Sequence, residues 1–143
     1  KLTDPDTDQA QKWLAVAHHQ LGRVAEERRD FDAAEAAYNT ALEIKLWLGD
    51  EYEAAGTYHQ LGIVAQERRD FDAAEAAYNT ALEIFVRIGD EHSAVVVIAG
   101  IARLAAADPD RRDSLTSFVA KHTEMAAEDV AELFAKAQPN DED

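Results

Sequence analysis

Residues His19–Ile44 and His59–Ile84 differ at only two of 26 positions, Arg23/Ile63 and Glu26/Gln66, at an offset of forty residues. Duplication of that quality confines the chain to a repeat architecture, in which one unit cannot bury its apolar face alone and stacks on the next. Gly49-Asp50-Glu51 recurs as Gly89-Asp90-Glu91, so the period runs through the connecting turn. One further step of forty residues makes Glu91–Asp108 a worn copy of the first half of the unit.

Within the unit the apolar positions fall at helical spacing. Ala55, Tyr58, Leu61, Gly62 and Ala65 form one stripe, and Phe71, Ala74, Ala77, Tyr78, Ala81 and Leu82 form the next. These patterns predict helices over about 8–29, 32–48, 51–69, 72–88 and 91–107, a weaker one over 110–120, and a last one over 126–137. Asp32 and Asp72 are candidate N-caps, with Glu35 and Glu75 completing capping boxes, and Asp8, Asp50 and Asp90 are further caps. Gly49 and Gly89 are placed to end helices in a left-handed conformation. Gly62 and Ala74 let the two helices of a hairpin approach while Tyr78 fills the space beside them. The β-branched run Val95-Val96-Val97-Ile98 taken alone suggests a strand, but its register with two helical units makes it a helix covered on both sides. In the last segment Ala126, Val130, Leu133, Phe134 and Ala137 share one face and Glu128, Asp129, Glu132 and Lys136 the other, as an end cap requires. Trp13, Trp47 and Phe85 are expected to pack, although Arg87 stands at the position matching Trp47.

Leu61-Gly62, Ala65, Ala74, Tyr78 and Ala81, with their copies Leu21-Gly22, Ala25, Ala34, Tyr38 and Ala41, resemble the signature positions of tetratricopeptide repeats over about residues 10–108. The forty-residue period resembles the longer-helix repeats of kinesin light chains, Rap-type regulators and signalling-NTPase sensor arms. The resemblance implies an all-α, right-handed superhelix of about seven helices with a C-terminal capping helix. The expected organisation is a leader (1–8), repeat one (9–50), repeat two (51–90), a degenerate third (91–121), a capping helix (122–138) and an acidic tail (139–143). Lys1 in place of an initiating Met suggests a piece of a longer protein.

Composition removes several functions. A formal charge of −15 disfavours nucleic acid and anionic membrane, which demand a positive face. No apolar run reaches membrane-spanning length and no signal peptide opens the chain, so a cytoplasmic location is expected. The absence of cysteine excludes disulfides, a thiol nucleophile and thiolate zinc. His19 and His59 lie one period apart, too far to share an ion across stacked helices without help, and no zinc, calcium-loop, Ser-elbow or phosphate-loop motif is present. No metal, cofactor or enzymatic activity is expected. The arginine pairs Arg28-Arg29 and Arg68-Arg69 suit helix C-termini and neighbouring acids.

In the family it resembles, first-helix side chains line a concave groove. Carried over, these are Val16, His19, Arg23, Glu26 and Glu27, then Gly56, His59, Ile63, Gln66 and Glu67, with Ala99 and Arg103 beyond. Both differences between the long copies, Arg23/Ile63 and Glu26/Gln66, fall there. The resemblance implies a protein or peptide partner, and the acidic exterior favours one with a basic or mixed face. The alternative is a spacer or self-associating segment, for which near-identical units are suited.

Overall fold

The computed structural model describes residues 5–138. The helices are α1 (Pro5–Glu27), α2 (Phe31–Trp47), α3 (Glu51–Glu67), α4 (Phe71–Ile88), α5 (Glu91–Ala107), α6 (Arg112–Thr123) and α7 (Ala127–Lys136), with a 3-10 turn at Pro109–Arg111 before α6. No strand occurs among the described residues. α1 pairs with α2 and α3 with α4; α3 then packs on α2, and α5 on α4. This is a right-handed α-α solenoid, closed at its C-terminal end by α6 against α4 and α5, and by α7 against α5 and α6. No helix among the described residues is long and apolar enough to cross a membrane.

Each hairpin is held by a ring seated on a glycine. A Cβ at Gly22 would lie 2.7 Å from the Tyr38 ring, and one at Gly62 would lie 2.6 Å from the Tyr78 ring. Both tyrosines are buried beside the fully covered Ala34 and Ala74. Each hydroxyl finds a polar partner at the edge, Tyr38 donating to Glu26 Oε1 at 2.8 Å and Tyr78 to Gln66 Oε1 at 3.0 Å. That shared role explains why Glu and Gln interchange at this position: either oxygen accepts the phenol.

Two expected features are corrected. The caps of α2 and α4 are Asp30 and Asp70, whose carboxylates accept from the backbone N–H of Ala33 and Ala73 at 3.2 Å, not Asp32 and Asp72. The preceding helices stop earlier than expected because Arg29 and Arg69 adopt φ of +59° and +62°. Each arginine lays its guanidinium over the ring two residues on, Phe31 or Phe71, at 4.9 Å, which offsets the unfavourable backbone. The acids of the expected capping boxes bridge units instead. Arg68 binds Asp32 at 2.8 Å and Glu35 at 3.3 Å, while Arg111 binds Glu75 at 2.8 Å and also Asp72. Asp8 is likewise no cap, since α1 is already formed at Pro5.

Gly49 (φ +75°) and Gly89 (φ +89°) do end α2 and α4 in the left-handed region, and Asp50 and Asp90 cap α3 and α5. α5 buries Ala94, Val97, Ile98, Ile101, Leu104 and Ala105, but Val95 is 63% exposed, so the helix is not covered all round as expected. On α7 only Val130 and Phe134 are fully covered, while Leu133 is exposed. Phe85 is buried as expected, but Trp13 is 67% exposed and Trp47 is also exposed. The leader residues 1–4 and the acidic tail 139–143 lie outside the described residues.

Candidate partner-binding groove

The first helices α1, α3 and α5 line one side of the stack, where three adjoining hollows open. The first, of about 380 Å³, is walled by Lys12, Val16, His19 and Gln20 of α1, Lys45 of α2, and Glu53 of α3. The second, of about 360 Å³, shares His19, Lys45 and Glu53 and continues past Gly56, His59 and Gln60 to Phe85, His92 and Val96. The third, of about 630 Å³, holds Arg23 among Glu26, Glu27 and Glu67, with His19 and Gln60 at its border. His19 borders all three, so they form one trough.

The structure thus brings together Val16, His19, Arg23, Glu26, Glu27, Gly56, His59 and Glu67. Ile63, Gln66 and Arg103 border none of these three hollows. Ile63 packs against the main apolar core, Gln66 is engaged by Tyr78, and Arg103 is half-buried on α5.

The centre of the trough is a residue the groove assignment did not include. Lys45 is 7% exposed, and its Nζ donates to Thr57 Oγ1 at 2.8 Å. No carboxylate among the described residues lies within ion-pairing distance of it. Asp50, five residues on, spends an oxygen on the Glu53 N–H at 3.2 Å. Burial holds the Lys45 ammonium below its usual range, against the opposing pull of Glu53 and Asp50. His19 is lowered too, first by burial and then by Lys45 and Arg23. His19 Nδ1 is buried with no hydrogen-bond partner, and its ring sits 5.3 Å from that of Tyr38.

The signal for this site was present outside the 26-residue match. Lys45 becomes Phe85 one period on, Val16 becomes Gly56, Ala17 becomes Thr57, Trp13 becomes Glu53 and Lys12 becomes Tyr52. These positions lie at the open ends of the two hairpins, where the start of the first helix meets the end of the second. Substitution has concentrated there while the turn halves stayed nearly identical.

Glu26, at the other end of the trough, is raised by burial and by the neighbouring Glu67, with the Tyr38 hydroxyl opposing. A folded state that binds this proton more tightly than the unfolded chain loses stability as pH rises above the ordinary value of 4.5. Glu26→Gln, which keeps an acceptor for Tyr38, is therefore expected to raise the thermal midpoint at about pH 7 and to have little effect at about pH 4. Melting curves at the two pH values check this; an equal shift at both contradicts it.

Among the described residues no group of three or more His, Asp or Glu is placed to hold a metal ion. No curated protein and no solved structure matches the chain. The family described as Tetratricopeptide repeat matches residues 15–46 and 55–85, and the match distinguishes no subclass with longer helices. Those two stretches contain the glycine–tyrosine hairpins and most of the trough wall, and over them the chain matches the tetratricopeptide repeat family.

Proposed function

We propose that the chain is a non-catalytic recognition module that binds a peptide or helical segment of a partner protein along the trough of α1, α3 and α5. Repeats of this family generally mediate protein–protein interaction. The observation carrying the reading is that several positions at which the two units differ, Lys45 and Phe85, Val16 and Gly56, and Arg23, line adjoining hollows on one surface. A shallow, extended trough suits a chain segment better than a small molecule. The Glu26, Glu27 and Glu67 end, on a chain of charge −15, favours a partner with basic or mixed character there. In this reading 9–50, 51–90 and 91–121 are successive units and 122–138 caps them.

Selection of binders from a random peptide display library, followed by mapping of backbone NMR shifts, tests the proposal. Perturbations should centre on His19, Gly56, His59 and Gln60. Perturbations confined to the outer faces of α2 and α4 would remove the trough from consideration.

A second reading, self-association, has its own observation. Leu61 and Val64 of α3 pack on Ala34 and Tyr38 of α2, whereas their counterparts Leu21 and Val24 on α1 are 57% and 43% exposed. Such a stripe is an available contact surface. Sedimentation equilibrium over a wide concentration range should show association that Val24→Glu abolishes; a monomer throughout rules this reading out.

A further inference from the structure

The trough is not uniform, and its departure from the repeat pattern carries chemistry. At the position where the second unit buries Phe85, the first buries an ammonium. Thr57 supplies its one hydrogen bond, and that hydroxyl's own proton goes to the Glu53 carbonyl at 3.3 Å. With a single neutral acceptor and no ion pair, and with Glu53 and Asp50 pulling only from beyond pairing distance, this largely buried cation is incompletely compensated. Space for one exists beside it. A Cβ built on Gly56 meets nothing within 4 Å, whereas α1 and α5 carry Val16 and Val96 at the matching positions. The loss of that side chain and the gain of the lysine occur in the same hollow.

We propose that Lys45 is the docking point for the carboxylate of an Asp or Glu side chain within the bound segment. The trough decides between a side chain and a chain end. Two hollows meet at Lys45 and run away from it in both directions, one toward Lys12 and Val16, the other toward Gly56 and Val96. A segment lying there passes over Lys45 instead of stopping at it, so the group that reaches down is a side chain. The carboxylate supplies the direct ion pair that Glu53 and Asp50 do not make and accepts the Nζ protons that Thr57 leaves unused, with His19 at the border of both hollows as a second donor. This assignment rests on the trough being the binding surface.

The test uses three small probes on the intact chain with isotope-labelled lysine: N-acetyl-glutamate methylamide, its glutamine analogue, and N-acetyl-glycine with a free carboxyl end. Saturable shifts of the Lys45 side chain are expected with the glutamate probe, at an affinity about ten-fold or more above the glutamine probe, as a charge-assisted bond to a buried cation requires. Lys45→Met and, separately, Gly56→Val should each abolish the response, the second by filling the hollow while keeping the charge. Equal response to glutamate and glutamine, no saturable response, a response that survives both substitutions, or tighter binding of the chain-end probe would each overturn the assignment. The two readings fail separately. Display-selected peptides that map to the trough without an acidic residue over Lys45 leave the groove standing and remove this site. Glutamate binding at Lys45 with no peptide in the trough does the reverse.

Discussion

Gly62→Ala is expected to destabilise the fold by about 1–3 kcal/mol, while Gly56→Ala on the same helix stabilises it by up to about 1 kcal/mol. Both glycines are helical, so the gain in helix propensity from alanine is the same. What differs is the far side. The new methyl at Gly62 arrives 2.6 Å from a ring carbon of Tyr78, a ring packed on all sides and tethered through its hydroxyl to Gln66. The ring cannot withdraw without breaking that hydrogen bond or parting α3 from α4. At Gly56 the methyl enters the open hollow. Urea unfolding of the two variants provides the comparison, with Gly22→Ala as a second instance of the first kind. Opposite signs are the expected result. Equal stabilisation at both positions would mean that the glycine–tyrosine contact is loose and that another feature sets the helix spacing.

That contact was legible in the sequence, and so was most of the fold, because repetition supplies its own check. A glycine and a tyrosine that recur together at one period are a packing pair, and Gly49 and Gly89 ahead of Asp50 and Asp90 are a helix end followed by a cap. The true caps at Asp30 and Asp70 were obscured because the chain reads Arg-Asp-Phe-Asp, with two candidate acids two residues apart. Choosing between them depended on Arg29 and Arg69 entering a conformation arginine rarely adopts, which the stacking on Phe31 and Phe71 makes tolerable. Asp32 and Asp72 could not be assigned from local pattern because Arg68 and Arg111, their partners, lie roughly one unit away.

The candidate site was half legible. The first-helix wall follows from the family resemblance, yet Glu26 and Gln66, which looked like freely varying groove positions, are committed to Tyr38 and Tyr78. Lys45 escaped notice for the opposite reason. It belongs to a second helix, and such helices are expected to face their neighbours and not the groove. Only at the open end of the hairpin does a long side chain from α2 reach the trough between α1 and α3.

Lys45→Met is expected to stabilise the protein, by about 1–3 kcal/mol at neutral pH, although it removes a hydrogen bond. The methionine keeps the length and flexibility needed to occupy the buried channel, and Phe85 one period on shows that an apolar side chain suits this position in the fold. Thr57 is not orphaned, since its hydroxyl still donates to the Glu53 carbonyl. The pH dependence separates loss of a buried charge from improved packing. Burial lowers the Lys45 pKa, so the unfolded chain holds this proton more tightly than the folded one. The penalty is complete while both states are protonated. It shrinks as pH rises through the depressed value toward the ordinary 10.5, so the Lys45 contribution to wild-type stability improves with pH over that interval. The advantage of Lys45→Met should therefore narrow as pH rises toward the ordinary 10.5, whereas a packing gain would persist unchanged. Thr57→Val supplies the converse: it strips the ammonium of its acceptor and should destabilise by about 1–3 kcal/mol, a loss that vanishes when Lys45 is already methionine. Chemical denaturation of the two single variants and the double variant across that pH range decides the matter. A destabilised Lys45→Met at every pH would show that the ammonium is well compensated in the free protein, and would leave the trough without the vacancy for a counter-charge on which carboxylate docking depends.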